Sequence, residues 1–439
     1  MSMRTNAYAV PGILPVDAED AVLIARIDDP DRAAPVVAVL RHDLLVDVSS
    51  VAPTVSDLLE IEDAPAVLAH VAATAPSWPI ADVVRASLER DPTRPRLLAP
   101  IDLHVVKACG VTFADSLLER VIEERAGGDP HAADAIRERV AASIGRGLAG
   151  IRPGSTEALA LKRVLLAEGM WSQYLEVGIG PDPEVFTKAP VLSSVGLGAR
   201  VGVLAQSRWN NSEPELVLVM DSRGVPVAAT LGNDVNLRDV EGRSALLLGA
   251  AKDNNGSCAV GPFLRLFDER FDLERLRTET IHLRVEGEDG FVLDGTNALD
   301  RISRPFEELI AAASGDHHQY PDGFVLFTGT LFAPVQDRGA AGRGFTHHVG
   351  DRVTISSPAL GALVNTVGIS EELEPWAFGI RALMAAIAVD SSRTLATDEV
   401  SETLSDEREN VATPWPGEYP HDDAGSPRRG SDPAEHVER

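Results

Sequence analysis

Two glutamates one residue apart, Glu213-Pro214-Glu215, lead into the apolar run LVLVM, which ends at Asp221-Ser222-Arg223-Gly224; a second strand-like run then reaches Gly232-Asn233-Asp234. Strand alternation puts both glutamates on one face. If the four-residue turn closes a simple hairpin, Glu213 lies opposite Gly232, and Asp234 becomes a diagonal same-face neighbour at roughly 7–8 Å. Three carboxylates that close raise one another's pKa unless a cation or several donors neutralise them. Oxygen-only ligation with room for water and substrate suits Mg²⁺, with Mn²⁺ as the alternative, better than Zn²⁺. The bland reading is a solvated acidic hairpin edge. A register slip of one residue would turn the side chains to opposite faces and abolish the geometry.

Lysine is rare: of 40 basic residues only Lys107, Lys162, Lys188 and Lys252 are not Arg. Coding bias explains this blandly, whereas a compact ammonium with an adjustable pKa explains it chemically. Lys252 follows the helix-like SALLLGAA, where a snorkelling surface lysine competes with a catalytic one. Glu184 sits in Pro-Asp-Pro-Glu, a turn in which exposed acids are common. His317-His318 and His347-His348 invite a metal reading, but adjacent strand residues face opposite ways, so they are read as loop or surface residues. The Gly-rich patches near Gly196 and Gly342 lack the strand–turn–helix setting of a nucleotide site.

The elements that must position these residues form an uneven sequence. Residues 1–100 mix short apolar runs with Pro- and Asp-rich turns, as in a small α+β domain. SLLERVIEER (116–125) has helical spacing, and a second helical stretch runs from about Pro130 to Ile144. From about residue 185, apolar runs alternate with Gly, Asp and Asn turns, which predicts a mainly β core, a closed or sandwich-like roll, over a domain spanning 101–390. Residues 391–439 hold 12 acidic and 5 basic residues with few apolar ones, the composition of a disordered tail.

Composition narrows the partners. A formal charge of −27 repels phosphate backbones and anionic lipid, so nucleic acid and membrane are excluded as expected partners. No apolar stretch approaches a membrane span, and MSMRTNAYAVPG lacks the pattern of a secretion signal, so a cytoplasmic location is expected. Cys109 and Cys258 are too few for a disulfide framework and read as buried small hydrophobes.

The segment WNNSEPELVLVMDSRGVPVAATLGNDVNLRDVEGRSALLLGAAKDNNGSCAVGPFLRLFD resembles the core signature of the fumarylacetoacetate hydrolase superfamily. The resemblance implies a mainly β fold with α+β elements, a mixed β-sandwich roll, and makes Glu213, Glu215 and Asp234 the Mg²⁺ ligands. Arg238-Asp239, Lys252, Gly261-Pro262, Phe186-Thr187-Lys188 and Thr328-Gly329-Thr330 match further motifs, although Leu331 stands where Pro is usual. Roughly residues 105–385 are covered. Hydrolytic members carry His-x-x-Glu on a lid segment that resembles Gly110–Glu119, but Ser116 occupies the His position, so the general base of hydrolysis is missing while Glu119 remains.

GMWSQYLEVGIGPDPEVFTKAP and WNN…NDVNLRDVEGRSALLLGAAKDNN resemble especially the branch of 2-keto-3-deoxy-pentonate dehydratases. This implies Mg²⁺-dependent dehydration of a small 2-keto acid to 2-oxoglutarate semialdehyde, by a lyase acting as a homodimer or higher assembly. The alternative is an acylpyruvate-type C–C hydrolase or an oxaloacetate-type decarboxylase; a metal-binding module without turnover is a third reading. By this resemblance Glu184 is the base, with Glu119 second, and Lys252 or the protonated Glu184 is the acid. Lys188 and Thr330 are expected to bind substrate. Arg238 is a further substrate-binding candidate, beside its reading as a structural ion pair with Asp239.

Overall fold

The computed structural model describes residues 12–133, 136, 151–338 and 344–390, apart from residues 73, 168 and 333. The proposed tail and most of the second helical stretch lie outside the described residues. The strands in chain order are β1 (Leu23–Asp28), β2 (Val36–Arg41), β3 (Leu44–Asp47), β4 (Ser77–Pro79), β5 (Arg96–Leu97), β6 (Val105–Gly110), β7 (Glu184–Ala189) and β8 (Arg200–Val203). They continue with β9 (Asn210–Met220), β10 (Pro226–Leu237), β11 (Cys258–Leu266), β12 (Thr280–Glu286), β13 (Val292–Ala298), β14 (Phe324–Phe327), β15 (Arg352–Ser357) and β16 (Gly361–Ile369).

Among the described residues these strands make two open sheets. One has eleven strands in the order β4-β3-β2-β1-β11-β10-β9-β14-β6-β7, with β5 beside β1; the other has five, β13-β12-β15-β16-β8. The mainly β expectation holds, as stacked open sheets rather than a closed barrel.

Strand β9, which carries Glu213 and Glu215, is buried along its whole length, which explains why LVLVM carries no polar residue at alternate positions. Leu216, Leu218 and Met220 pack on one side with Ile281, Leu283, Val353 and Ile355 of the smaller sheet. Val217 and Val219 pack on the other with Val55 and Leu58 of α1 (Val55–Leu59) and Leu68 of α2 (Ala64–Ala69). The two glutamates continue this second face beyond the apolar part of the strand.

The small N-terminal segment expected over residues 1–100 contributes strands to the same sheet, because β1 pairs with β11 at Leu23–Arg265 and Ile24–Leu264. A helix α3 (Ile80–Glu89) turns Ile80, Val83 and Val84 onto the face that includes Leu23, Ala25 and Ile27. The described residues all fall within one compact unit.

Three further helices, α4 (Ala114–Ala126), α5 (Thr156–Ala167) and α6 (Gln173–Ile179), pack through Leu117, Val121, Ile122, Leu165 and Leu175. That packing fixes the rotation of α4. The helix turns Arg120 and Glu123 towards the start of β9, and neither has an apolar role there. Two short helices follow β10: α7 (Arg238–Glu241) directly, then α8 (Leu248–Lys252), the observed form of SALLLGAAK. Among the described residues no helix is long and apolar enough to cross a membrane.

Candidate active site

The β9–β10 pairing brings the three acids together, but not in the expected register. Asp234 stands directly across from Glu213, and Gly232 across from Glu215. The loop has five residues rather than four, since the Asp221 N–H donates to the Val225 carbonyl and Pro226 pairs with Met220. A bulge between Pro226 and Ala228 then adds one more residue. The two single-residue shifts add to an even displacement, so the facing of every side chain survives and Asp234 moves closer to Glu213 than a diagonal neighbour would be.

One carboxylate oxygen from each of Glu213, Glu215 and Asp234 lies within 4.8 Å of the others, and all three residues are buried. Lys252, at the end of α8, donates to Glu213 Oε2 at 2.6 Å and to Asp234 Oδ2 at 2.8 Å. Burial works against its charge, but Asp234 and Glu213 outweigh that and hold its pKa above the usual lysine range. Lys188 Nζ lies 3.1 Å from Asp234 Oδ1, which accepts no well-aligned hydrogen bond, and Lys188 also donates to the Lys252 carbonyl.

Among the described residues, Glu215 is the one of the three carboxylates with no cation in salt-bridge contact, although Lys252 acts on it from further away. Its Oε2 accepts the Gly329 N–H at 2.6 Å, while burial and then the charges of Asp234 and Glu213 push its pKa well up. Burial also opposes ionisation of Glu213, but Lys252 and Arg120 hold it down at about 2. An all-oxygen donor set with one carboxylate short of positive charge suits a hard divalent ion. The acidic hairpin-edge reading does not survive, because an edge would be solvated and this trio is enclosed.

Gly329 shows why the Thr-Gly-Thr motif needs glycine. Its φ is +89°, and a Cβ there would lie 2.1 Å from Thr112 Oγ1. The loop is tied to β9 by Asn297 of β13, which donates to the Pro214 carbonyl at 2.9 Å and the Gly329 carbonyl at 3.2 Å, and accepts from Leu331 N–H at 3.0 Å. The other end of β9 is held by His347. Its Nε2 accepts the Ser212 N–H at 3.0 Å and its Nδ1 lies 3.1 Å from Asp351 Oδ2. His347 lies in a loop, as read from sequence, but is buried, which corrects only the surface part of that reading; His317, His318 and His348 are exposed as expected.

The space beside the three acids is lined by Glu184, Lys252 and Thr330, as expected from sequence, and by Arg120 and Glu241, which sequence reasoning missed. It measures about 20 Å³, room for about one water. Glu184 lies at the start of β7, opposite Gly110, where any Cβ would fall 2.0 Å from Glu184 Oε2. Burial, and next the charge of Glu241, raise its pKa to about 7. Arg120 donates from Nη1 to Glu123 and Glu241, both at 2.8 Å, and from Nη2 to Glu213.

Three expected site residues stand back from this space. Lys188 is fully buried behind Asp234. Arg238 does not pair with Asp239: it donates to Glu123 at 2.6 Å, lies 3.4 Å from Glu119, and stacks 4.2 Å above the Trp209 ring. The strand-to-helix turn sends the two side chains apart, and Asp239 instead accepts from Ser207 and from the Arg208 N–H, each at 2.8 Å. Glu119 is occupied by Arg238. Ser116 falls in α4, with its side chain outside the described residues. Cys109 and Cys258 are free and buried, as expected.

Residues 175–368 match the family model "Fumarylacetoacetate (FAA) hydrolase C-terminal". The chain is 32% identical over 185 residues to a 2-dehydro-3-deoxy-D-arabinonate dehydratase of Saccharolobus solfataricus, across 42% of this chain and 58% of that protein. It is 31% identical over 198 residues to a probable 2-keto-3-deoxyxylonate dehydratase of Haloferax volcanii, across 45% of this chain and 64% of that protein. The matches thus span less than two thirds of either relative. The fold is that of a solved 2-keto-3-deoxy-D-arabinonate dehydratase in apo form, with TM-score 0.56 at 21% identity over 79% of this chain and 99% of that one. A structure of 2-keto-3-deoxy-D-arabinonate dehydratase complexed with magnesium and 2,5-dioxopentanoate aligns with TM-score 0.55 at 22% identity, again over 79% and 99%. Residues 175–368, the stretch that matches this family model, carry Glu213, Glu215, Asp234 and Lys252.

Proposed function

We propose that the protein is a divalent-metal-dependent hydro-lyase that dehydrates a 2-keto-3-deoxy-pentonate to 2-oxoglutarate semialdehyde. The observation that carries this reading is a partly buried carboxyl group, Glu184, with a pKa of about 7, on the same small cavity as three converging metal-type ligands. The two dehydratase relatives, and the solved dehydratase holding magnesium and 2,5-dioxopentanoate, support it.

Bound at Glu213, Glu215 and Asp234, Mg²⁺ or Mn²⁺ supplies positive charge and Lewis acidity towards a 2-oxo carboxylate. Glu184 takes a proton from C3, next to the ketone, a task suited to a base with a pKa near neutrality. The protonated Glu184 then gives that proton to the departing C4 hydroxyl, so one water leaves and no oxidant is needed. Lys252 is a poor alternative acid, because Asp234 and Glu213 hold its proton. Its part is to keep the two carboxylates paired and aimed. Thr330 lines the cavity and offers a hydroxyl to the substrate. What remains is the enone with its double bond between C3 and C4; it loses a C5 proton to form a dienol, which takes up one proton at C3 and one at C4 as its two hydroxyls give theirs up, and this places an aldehyde at C5. The homodimer and the cytoplasmic setting expected from sequence belong to the same reading.

The test is to incubate the full chain with 2-keto-3-deoxy-pentonates and acylpyruvates, with and without Mg²⁺, and to identify products by mass. Semialdehyde should form only with the metal, and Glu215→Gln should abolish it. Semialdehyde that persists in EDTA, or faster cleavage of an acylpyruvate, would overturn the reading.

A further inference from the structure

Beyond the groups that the reaction needs, the cavity carries a second acidic wall. Glu241, on α7, is buried and lines the space from a different element than Glu184 on β7. With the three ligand acids, five carboxylates meet there. The cations in reach are already shared. Arg120 serves Glu123, Glu213 and Glu241; Lys252 serves Glu213 and Asp234; Lys188 lies against Asp234 from behind. With Glu123 set against Arg238, which it also binds, one divalent ion offsets the five cavity acids and these three bases when all are ionised, and leaves no positive charge over. One anionic group of a ligand can sit against the ion, whereas a second has to face Glu241 or Glu184 in a space that excludes bulk water. A hydroxyl in that position donates to either carboxylate.

We propose that Glu241, together with Glu184, is a specificity-determining wall that admits 2-oxo acids whose far end carries hydroxyls and rejects those whose far end carries a second carboxylate. The proposal rests on the functional reading above, because it presumes that the cavity, which here has room for about one water, widens to take a 2-oxo acid. It separates sugar-acid substrates from dicarboxylic 2-oxo acids of equal length through this chain's own residues. Arg120 offsets only part of the wall's charge, since three carboxylates share its guanidinium.

Two five-carbon probes of equal length test this: 5-hydroxy-2-oxopentanoate, a monoanion, and 2-oxoglutarate, a dianion. Their binding to the full chain loaded with Mn²⁺ is measured by titration calorimetry, and metal binding is recorded separately. The wild-type protein should bind the hydroxy acid at least about tenfold more tightly than the diacid, and Glu241→Gln should narrow that ratio by tightening the diacid. A residue that merely anchored Arg120 would weaken both ligands together and leave the ratio unchanged. Equal binding of the two probes to wild type, or an unaltered ratio in a Glu241→Gln protein that still holds metal, overturns the proposal. If Glu241→Gln does not fold, Glu184→Gln carries the same expectation. Binding of neither probe to a metal-loaded protein overturns the functional reading, and the wall proposal with it.

Discussion

Glu184 shows how one residue acquires its chemistry from its surroundings. In sequence it is an acid in a Pro-rich turn, with nothing to separate it from the many other acids of a chain carrying −27. In the fold it begins β7, beside a glycine that leaves space for its carboxyl, and burial and Glu241 raise it to about 7. A base works in its deprotonated form, so kcat/KM should climb as pH rises through about 7 and be lost below it. Glu184→Gln should remove that limb and lower kcat by about 10²- to 10⁴-fold, as read from a pH–rate profile. A limb that persists near neutrality in the Gln variant would assign it to another group. The rare lysines divide along similar lines. Lys188 and Lys252 sit at the acidic cluster, while Lys162 pairs with Glu176 and Lys107 with Thr187 outside it.

At the scale of elements, the site depends on a connection between the two sheets. Asn297 on β13 of the smaller sheet holds both the Pro214 carbonyl of β9 and the Gly329 loop that donates to Glu215. Asn297→Ala would leave two buried carbonyls and the Leu331 N–H without this partner, a destabilisation of about 1–3 kcal/mol in denaturant unfolding. It should also weaken Mn²⁺ binding by about 10- to 100-fold, because the carboxylate orientation is lost along with the loop. Unchanged metal affinity would mean that Glu215 is positioned by β9 alone. The opposite anchor, His347 between Ser212 and Asp351, belongs to the same design, in which a long strand is held at both ends so that its acids stay aimed.

For the whole molecule, the eleven-stranded sheet joins the N-terminal segment to the part that carries the ligands. β1 covers the edge of β11, and Phe263 of β11 shares a core with Leu23, Ile27 and Ile80. A chain limited to residues 101–390 would expose that edge and the apolar face behind it, so it should be insoluble or lack a cooperative thermal transition. The full chain should melt cooperatively, with Mg²⁺ raising its Tm by mass action. A truncated protein with an intact transition and the same metal response would show that the N-terminal strands are dispensable.

The chain of residues alone determined which acids could converge. Alternation along β9 and β10 is a local property, and it placed Glu213, Glu215 and Asp234 on one face whatever even offset the hairpin took. Motif identity added Lys252 and Glu184, which lie 18 positions from Asp234 and 29 from Glu213, and Thr330, 96 positions beyond Asp234, through its own Thr-Gly-Thr motif. The exact pairing was decided by a five-residue loop and a bulge, features of backbone geometry that no side-chain pattern announces. Arg120, Glu241, Asn297 and His347 became visible only in the tertiary structure. Arg120 reaches Glu213 across 93 positions, Asn297 reaches Pro214 across 83, and His347 reaches Ser212 across 135. Such contacts follow from how helices and sheets pack, and packing sums apolar contacts over the whole chain, so residue spacing carries no trace of them.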